Sequence, residues 1–161
     1  MLVEFAKIPD LSRVWIFPSS RKLYSHEVIE IEGQIVEFLE QWSKDYNFTN
    51  VSYAIRYSQF IVFFVNASDS VSSMAIDALV SLILNFQMRY KVELVDKMNP
   101  CFKQGEYIQY KEMEVFKKMI KDRAISKNTI VFNLTVSTKY DFVHHWEVPI
   151  LESPYRKLIK S

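Results

Sequence analysis

The run Phe60-Ile61-Val62-Phe63-Phe64-Val65 carries no polar side chain and limits the folds open to this chain more than any other stretch. It has the length of a strand, and its β-branched and aromatic side chains leave no face for water, so it predicts a central strand covered on both sides. Asn66-Ala67-Ser68-Asp69-Ser70 follows with turn and cap chemistry. From Val71 to Tyr90 the only charges are Asp77 and Arg89, which predicts a helix that is mostly buried. Ser72, Ser73, Asp77, Ser81, Asn85 and Gln87 break that segment short of the roughly 18 uninterrupted apolar residues a membrane span needs, so a core helix is expected and no membrane.

The flanking segments fit around this hub. Arg13 to Pro18 is β-branched and aromatic and ends in a proline that cannot donate to a ladder, predicting a first strand. Ser25 is the expected N-cap of a helix whose apolar stripe is Val28, Ile31, Ile35, Phe38 and Trp42. The outer face of that helix is acidic: Glu27, Glu30, Glu32, Glu37, Glu40 and Asp45 against Lys44 alone. Val51, Tyr53, Ile55 and Tyr57 alternate with small or polar residues, the period of a half-buried strand, and Ser58-Gln59 leads into the central run either through a hairpin turn or as one long bent strand. Val92 to Asp96 is short and β-rich and reads as a fourth strand.

This order predicts an α+β fold in one domain, residues 1–161: an antiparallel or mixed sheet with two or three helices, and a ferredoxin-like βαββαβ core. A C-terminal αββ extension follows. In it Pro100 to Gly105 is expected as a loop, Glu106 to Tyr110 as a short strand, and Glu112 to Ile120 as an amphipathic helix. Thr129 to Val136 and Tyr140 to Val148 are the two final strands. A chain of 161 residues buries about 70% of its unfolded surface, so neither disulfide nor metal is needed to hold it. The single cysteine, Cys101, and the acid at Glu4 in place of a basic signal-peptide start lead to the expectation of a cytoplasmic protein.

Ser12-Arg13-Val14-Trp15-Ile16, Arg56-Tyr57, Ala75-Ile76-Asp77, Phe102-Lys103-Gln104-Gly105-Glu106, Asn128-Thr129-Ile130-Val131-Phe132-Asn133 and Trp146-Glu147-Val148-Pro149 are spread over nearly the whole chain. Together they resemble a family of short, uncharacterised bacterial proteins often labelled "ABC transporter ATPase". None of these segments is a mechanistic motif, so the resemblance implies kinship without chemistry. The family favours a small-Gly-Cys-Ser-Ile-Asp entry into the apolar helix. Here Ser73-Met74-Ala75-Ile76-Asp77 puts methionine where that thiol would be, and thiol chemistry does not carry over. The label itself would need Gly-x-x-x-x-Gly-Lys-Ser/Thr to cradle phosphates on backbone N–H groups. The only glycines, Gly33 and Gly105, lie far apart, and the apolar run ends in Asn66 rather than in an aspartate for magnesium. A P-loop ATPase is therefore not expected, and no motif for a cofactor is present.

Among candidate site residues, Asp77 stands out on a polar seam with Ser70, Ser73, Ser81 and Asn85, where a half-buried carboxylate would serve as base or ligand. The plainer reading makes the seam a solvent edge. His145 and Glu147 share one face if residues 140–148 form a strand and are the candidates for metal; lone Cys101 is expected to be buried and inert.

Net charge is +1, yet basic residues gather between Lys103 and Lys127, with Arg156, Lys157 and Lys160 in the tail. Arg56, Lys117, Lys118, Lys121 and Arg123 are the candidate binding residues; with Tyr53, Tyr57, Trp15 or Phe17 on strand faces they would suit single-stranded nucleic acid. The leading expectation is an interaction or binding domain with a protein partner or a second copy, because opposed charged faces are present and no catalytic set can be read. Nucleic-acid or anion binding through residues 103–127, and a small-molecule enzyme or binder using Asp77, are the alternatives.

Overall fold

The computed structural model describes residues 1–159. Its first sheet has the order β1-β3-β2, with β1 (Arg13–Pro18) and β2 (Val51–Arg56) each antiparallel to β3 (Phe60–Val65) between them. Every residue of β3 is buried, as a run without a polar side chain requires. Helix α1 (Ser25–Asp45) joins β1 to β2, and helix α2 (Ser73–Tyr90) follows β3. A second antiparallel sheet has the order β5-β4-β6-β7, from β4 (Cys101–Gln104), β5 (Tyr107–Tyr110), β6 (Ile130–Phe132) and β7 (Glu147–Pro149). Helix α3 (Met113–Lys121) precedes β6 and helix α4 (Lys139–His145) precedes β7.

Strand alternation sorts the core into layers. The odd residues of β3, Ile61, Phe63 and Val65, pack under α1 and α2 with Ile31, Ile35, Leu39, Leu79 and Ile83. The even residues Phe60, Val62 and Phe64 face the second sheet and α4, meeting Cys101, Phe132, Phe142 and Trp146. On the far side of the second sheet, Phe102, Val131 and Val148 meet Phe116 of α3 with Ile125 and Ile150. The stack is helix, sheet, sheet, helix, with α1 and α2 on one outside and α3 on the other.

The α+β class is thus as expected, with four helices and two sheets among the described residues. Several local expectations are corrected. Val92–Asp96 is not a strand: Val92 and Leu94 are buried as their alternation suggests, but Gln87 Oε1 takes the N–H of Leu94 at 3.0 Å and of Val95 at 3.3 Å, and no ladder forms. The first sheet therefore has three strands. Pro100–Gly105 holds β4, with Gly105 at φ 62 in the tight turn to β5. Tyr140–Val148 is mostly helix, because Thr138 caps it by accepting the Asp141 N–H at 3.1 Å while Phe142 and Trp146, four apart, both reach the core.

Of Thr129–Val136 only Ile130–Phe132 is extended in the sheet; Asn133 then closes a turn by accepting the Thr135 N–H at 3.0 Å. The cap of α1 is Tyr24 rather than Ser25, which is the first helical residue. Finally, α2 is buried on one face only: Met74 and Met88 are 71% and 79% exposed, so its lack of charge does not reflect full burial.

The β2–β3 hairpin turns through Tyr57 and Ser58, both at positive φ (56° and 51°), closed by Gln59 N–H donating to the Arg56 carbonyl at 3.0 Å. This sign pattern is that of a type I′ turn, which normally uses Asn-Gly. Ser58→Gly should remove left-handed strain and stabilise the protein by about 0.5–1 kcal/mol. A rise in melting temperature of about 2 °C checks it, and a fall would show that Ser58 has another role.

Candidate functional site

Helix α3 is anchored by Phe116, which is fully buried with ring centroids 5.4 Å from Phe102 and 5.1 Å from Tyr155, and Met113, Met119 and Ile120 pack beside it against the same core. Its exposed side carries Lys117, Lys118 and Lys121 with Glu114 and Val115. The helix ends at Asp122, Arg123 takes a left-handed φ of 62°, and Ile125 returns to the core. A turn then forms in which the Ser126 N–H donates to Thr129 Oγ1 at 3.0 Å. The chain comes back alongside α3 after β7, fixed by buried Ile150 and by Ser153, whose Oγ donates to the Ile150 carbonyl at 2.6 Å. Tyr155 is packed so closely beneath that burial pushes its phenol up to about 12.

Between α3 and this returning segment lies an open groove of about 960 Å³. Its cations are Lys117, Lys121, Arg123, Lys127 and Lys157. Its apolar lining is Ile120, Ile125, Leu151, Leu158 and Ile159, and Ser126 completes it; no Asp, Glu or aromatic residue is among the described lining residues. Lys117 has one distant carboxylate neighbour, Glu114 at 3.9 Å, an exposed pair of about 0–1 kcal/mol. Uncompensated positive charge beside an aliphatic floor suits a ligand that is both anionic and apolar.

The predicted binding residues divide. Lys117, Lys121 and Arg123 meet in this groove; Lys118 is exposed outside its lining. Arg56 is far off in kind, stacked 4.9 Å from the Phe5 ring centroid on the first sheet. Lys103 belongs elsewhere too, paired with Glu147 and 4.9 Å from the centre of the Tyr57 ring. Lys160 lies outside the described residues. Lys127 and Lys157 are brought in only by the fold, since nothing in the sequence pairs residue 127 with residue 157.

Of the strand aromatics considered beside these cations, Phe17 is buried, Trp15 and Tyr53 are half-buried and Tyr57 is exposed, and none of them lines this groove. Asp77 is exposed with Ser73, Ser81 and Asn85, does not line the groove beside α3, and makes no ion pair among the described residues.

His145 and Glu147 are not strand neighbours, since His145 ends α4 and Glu147 opens β7. Among the described residues no group of three His, Cys, Asp or Glu side chains is placed to hold a metal. Glu147 instead accepts a hydrogen bond from Tyr57 Oη at 2.5 Å and pairs with Lys103, a three-residue tie between the hairpin turn and the second sheet that no sequence pattern announces. Burial raises the Tyr57 phenol above its ordinary value, and the Glu147 hydrogen bond raises Lys103. Cys101 is fully buried between the sheets, and burial pushes its thiol up to about 12, so it carries no thiolate at neutral pH. No helix among the described residues is long and apolar enough to cross a membrane.

Compared with protein-family models, curated proteins and solved structures, the chain matches none.

Proposed function

We propose that this protein is a binding module whose working surface is the groove between α3 and the returning C-terminal segment, and that its ligand is an acidic protein segment with an apolar stripe. The observation that carries the reading is the lining itself: five cations beside five aliphatic side chains, with no carboxylate among them. The cations attract and orient an acidic partner, and the aliphatic floor supplies the burial that makes the contact last. An aliphatic floor favours protein over single-stranded nucleic acid, which is commonly held by stacking bases on aromatic rings.

Fluorescence anisotropy at low ionic strength would compare a labelled amphipathic peptide of Glu and Leu with a labelled oligouridylate. The peptide should bind more tightly, weaken as salt rises, and lose at least about tenfold in affinity to a Lys121→Glu/Arg123→Glu variant. Tighter binding of the RNA would move the reading to nucleic acid. Binding of neither, or equal binding by the variant, would sink it.

A further inference from the structure

We infer that the groove's partner is a second copy of this chain, which lays the outer face of its α1 into the groove in a head-to-tail arrangement. The inference rests on the reading of the groove as a site for an acidic partner. Charge complementarity is the first argument. The outward face of α1 presents Ile29, Gly33, Glu37 and Glu40 on successive turns, all exposed, so acid and one apolar side chain lie together where the groove offers lysine, arginine and an aliphatic floor.

Position is the second argument. α1 belongs to one outer layer of the stack and α3 to the opposite one, so the two surfaces cannot meet within a molecule. Between molecules they can, and a contact between two different patches leaves one of each free at the ends, giving a ring or an open chain of copies.

Gly33 supplies the third. Glycine is the poorest helix former after proline, and Gly33 lies well inside α1 with a Cβ position that meets nothing within 4 Å. No contact inside the molecule asks for it. A bare backbone one turn after exposed Ile29 is a low point where another surface approaches closely.

Sedimentation velocity on the full chain tests this, at low and at high ionic strength. The wild type should assemble with rising concentration at low ionic strength and dissociate as salt is added. Gly33→Tyr, which fills the low point, and Lys121→Glu/Arg123→Glu, which reverses the groove, should each weaken assembly by at least about tenfold while melting as cooperatively as the wild type. Mixed together, the groove variant still offers an intact α1 and the α1 variant an intact groove, so they should form a one-to-one dimer and nothing larger. Gly33→Ala serves as a folding control and should melt about 2–4 °C higher.

A wild type that stays monomeric at low ionic strength overturns the inference, as do folded variants that assemble unchanged or fail to pair when mixed. A monomeric wild type that still binds the acidic peptide would overturn this inference alone. One that binds neither would take the reading of the groove with it.

Discussion

Phe60→Ala should cost the fold about 3–5 kcal/mol, a large part of the roughly 5–15 kcal/mol by which a domain of this size is stable. Phe60 is fully buried on the β3 face that meets the second sheet, its ring centroid 4.6 Å from Phe132 and 4.9 Å from Trp146. Removing the ring takes away its transfer free energy and leaves a cavity where the two sheets meet. Neither neighbour can collapse into that cavity without leaving its own packing, because Trp146 also stacks with Phe142 at 4.7 Å and Phe132 is held in β6.

Urea unfolding should show a much lower midpoint with an unchanged slope. The control is Met88→Ala on the open face of α2, where 79% exposure predicts a change within about 0.5 kcal/mol. A Phe60→Ala loss below about 1 kcal/mol would mean that the two sheets do not share this core.

Glu27 is the second point of large expected effect. It is 5% exposed, yet ionised in a setting built for it. Arg21 donates Nη1 to Oε1 and Nη2 to Oε2, each at 2.9 Å, and the Tyr24 N–H donates to Oε1 at 2.8 Å. Arg21 Nη2 also reaches the Tyr90 carbonyl at 3.0 Å. One carboxylate thus fixes the start of α1, the loop before it and the end of α2. The Arg21 hydrogen bonds are the chief cause that holds the carboxyl at about 2, down from an ordinary 4.5, and the Tyr24 N–H adds to them.

A depressed carboxyl gives stability that is full above the unfolded value and is lost as pH falls through the folded one. Stability should therefore hold above about pH 4.5 and decline towards pH 2. The full shift would correspond to about 3 kcal/mol, and partial exposure of Arg21, at 35%, reduces the expectation to about 2 kcal/mol. Glu27→Gln should lose about that amount at neutral pH and show a shallower decline in acid. Chemical denaturation from pH 7 down to pH 2 on both proteins measures it. Parallel curves would assign the acid sensitivity to another carboxylate.

How far the sequence reached depended on whether its signals were local. The stripe from Val28 to Trp42 and the alternation from Val51 to Tyr57 are patterns between neighbours, and α1 and β2 formed where they lie. Val92–Asp96 had the same local pattern but not the partner: Gln87 on the preceding helix took the N–H groups of Leu94 and Val95, and Ser20 Oγ took that of Glu93. Tyr140–Val148 had strand composition, yet a Thr138 cap and two aromatic residues four apart made it a helix. The candidate site divided similarly. Lys117 and Lys121 lie on one turn-spaced face and can be found by period, whereas Lys157 joins them only because Ile150 and Tyr155 anchor the returning chain beside α3.

What the sequence determined by itself was the central strand. A run from Phe60 to Val65 with no polar side chain cannot leave either face in water, and all its residues are buried. The acidity of α1 and the basicity around α3 were likewise legible, because charge is a property of residues. Only the tertiary structure decided what covers each face of that strand: helices over Ile61, Phe63 and Val65, a second sheet over Phe60, Val62 and Phe64. That choice set the order of the layers, and with it the placement of the acidic and basic surfaces on opposite outsides. Hydrophobic burial is non-directional, so it demands cover without naming the element that provides it.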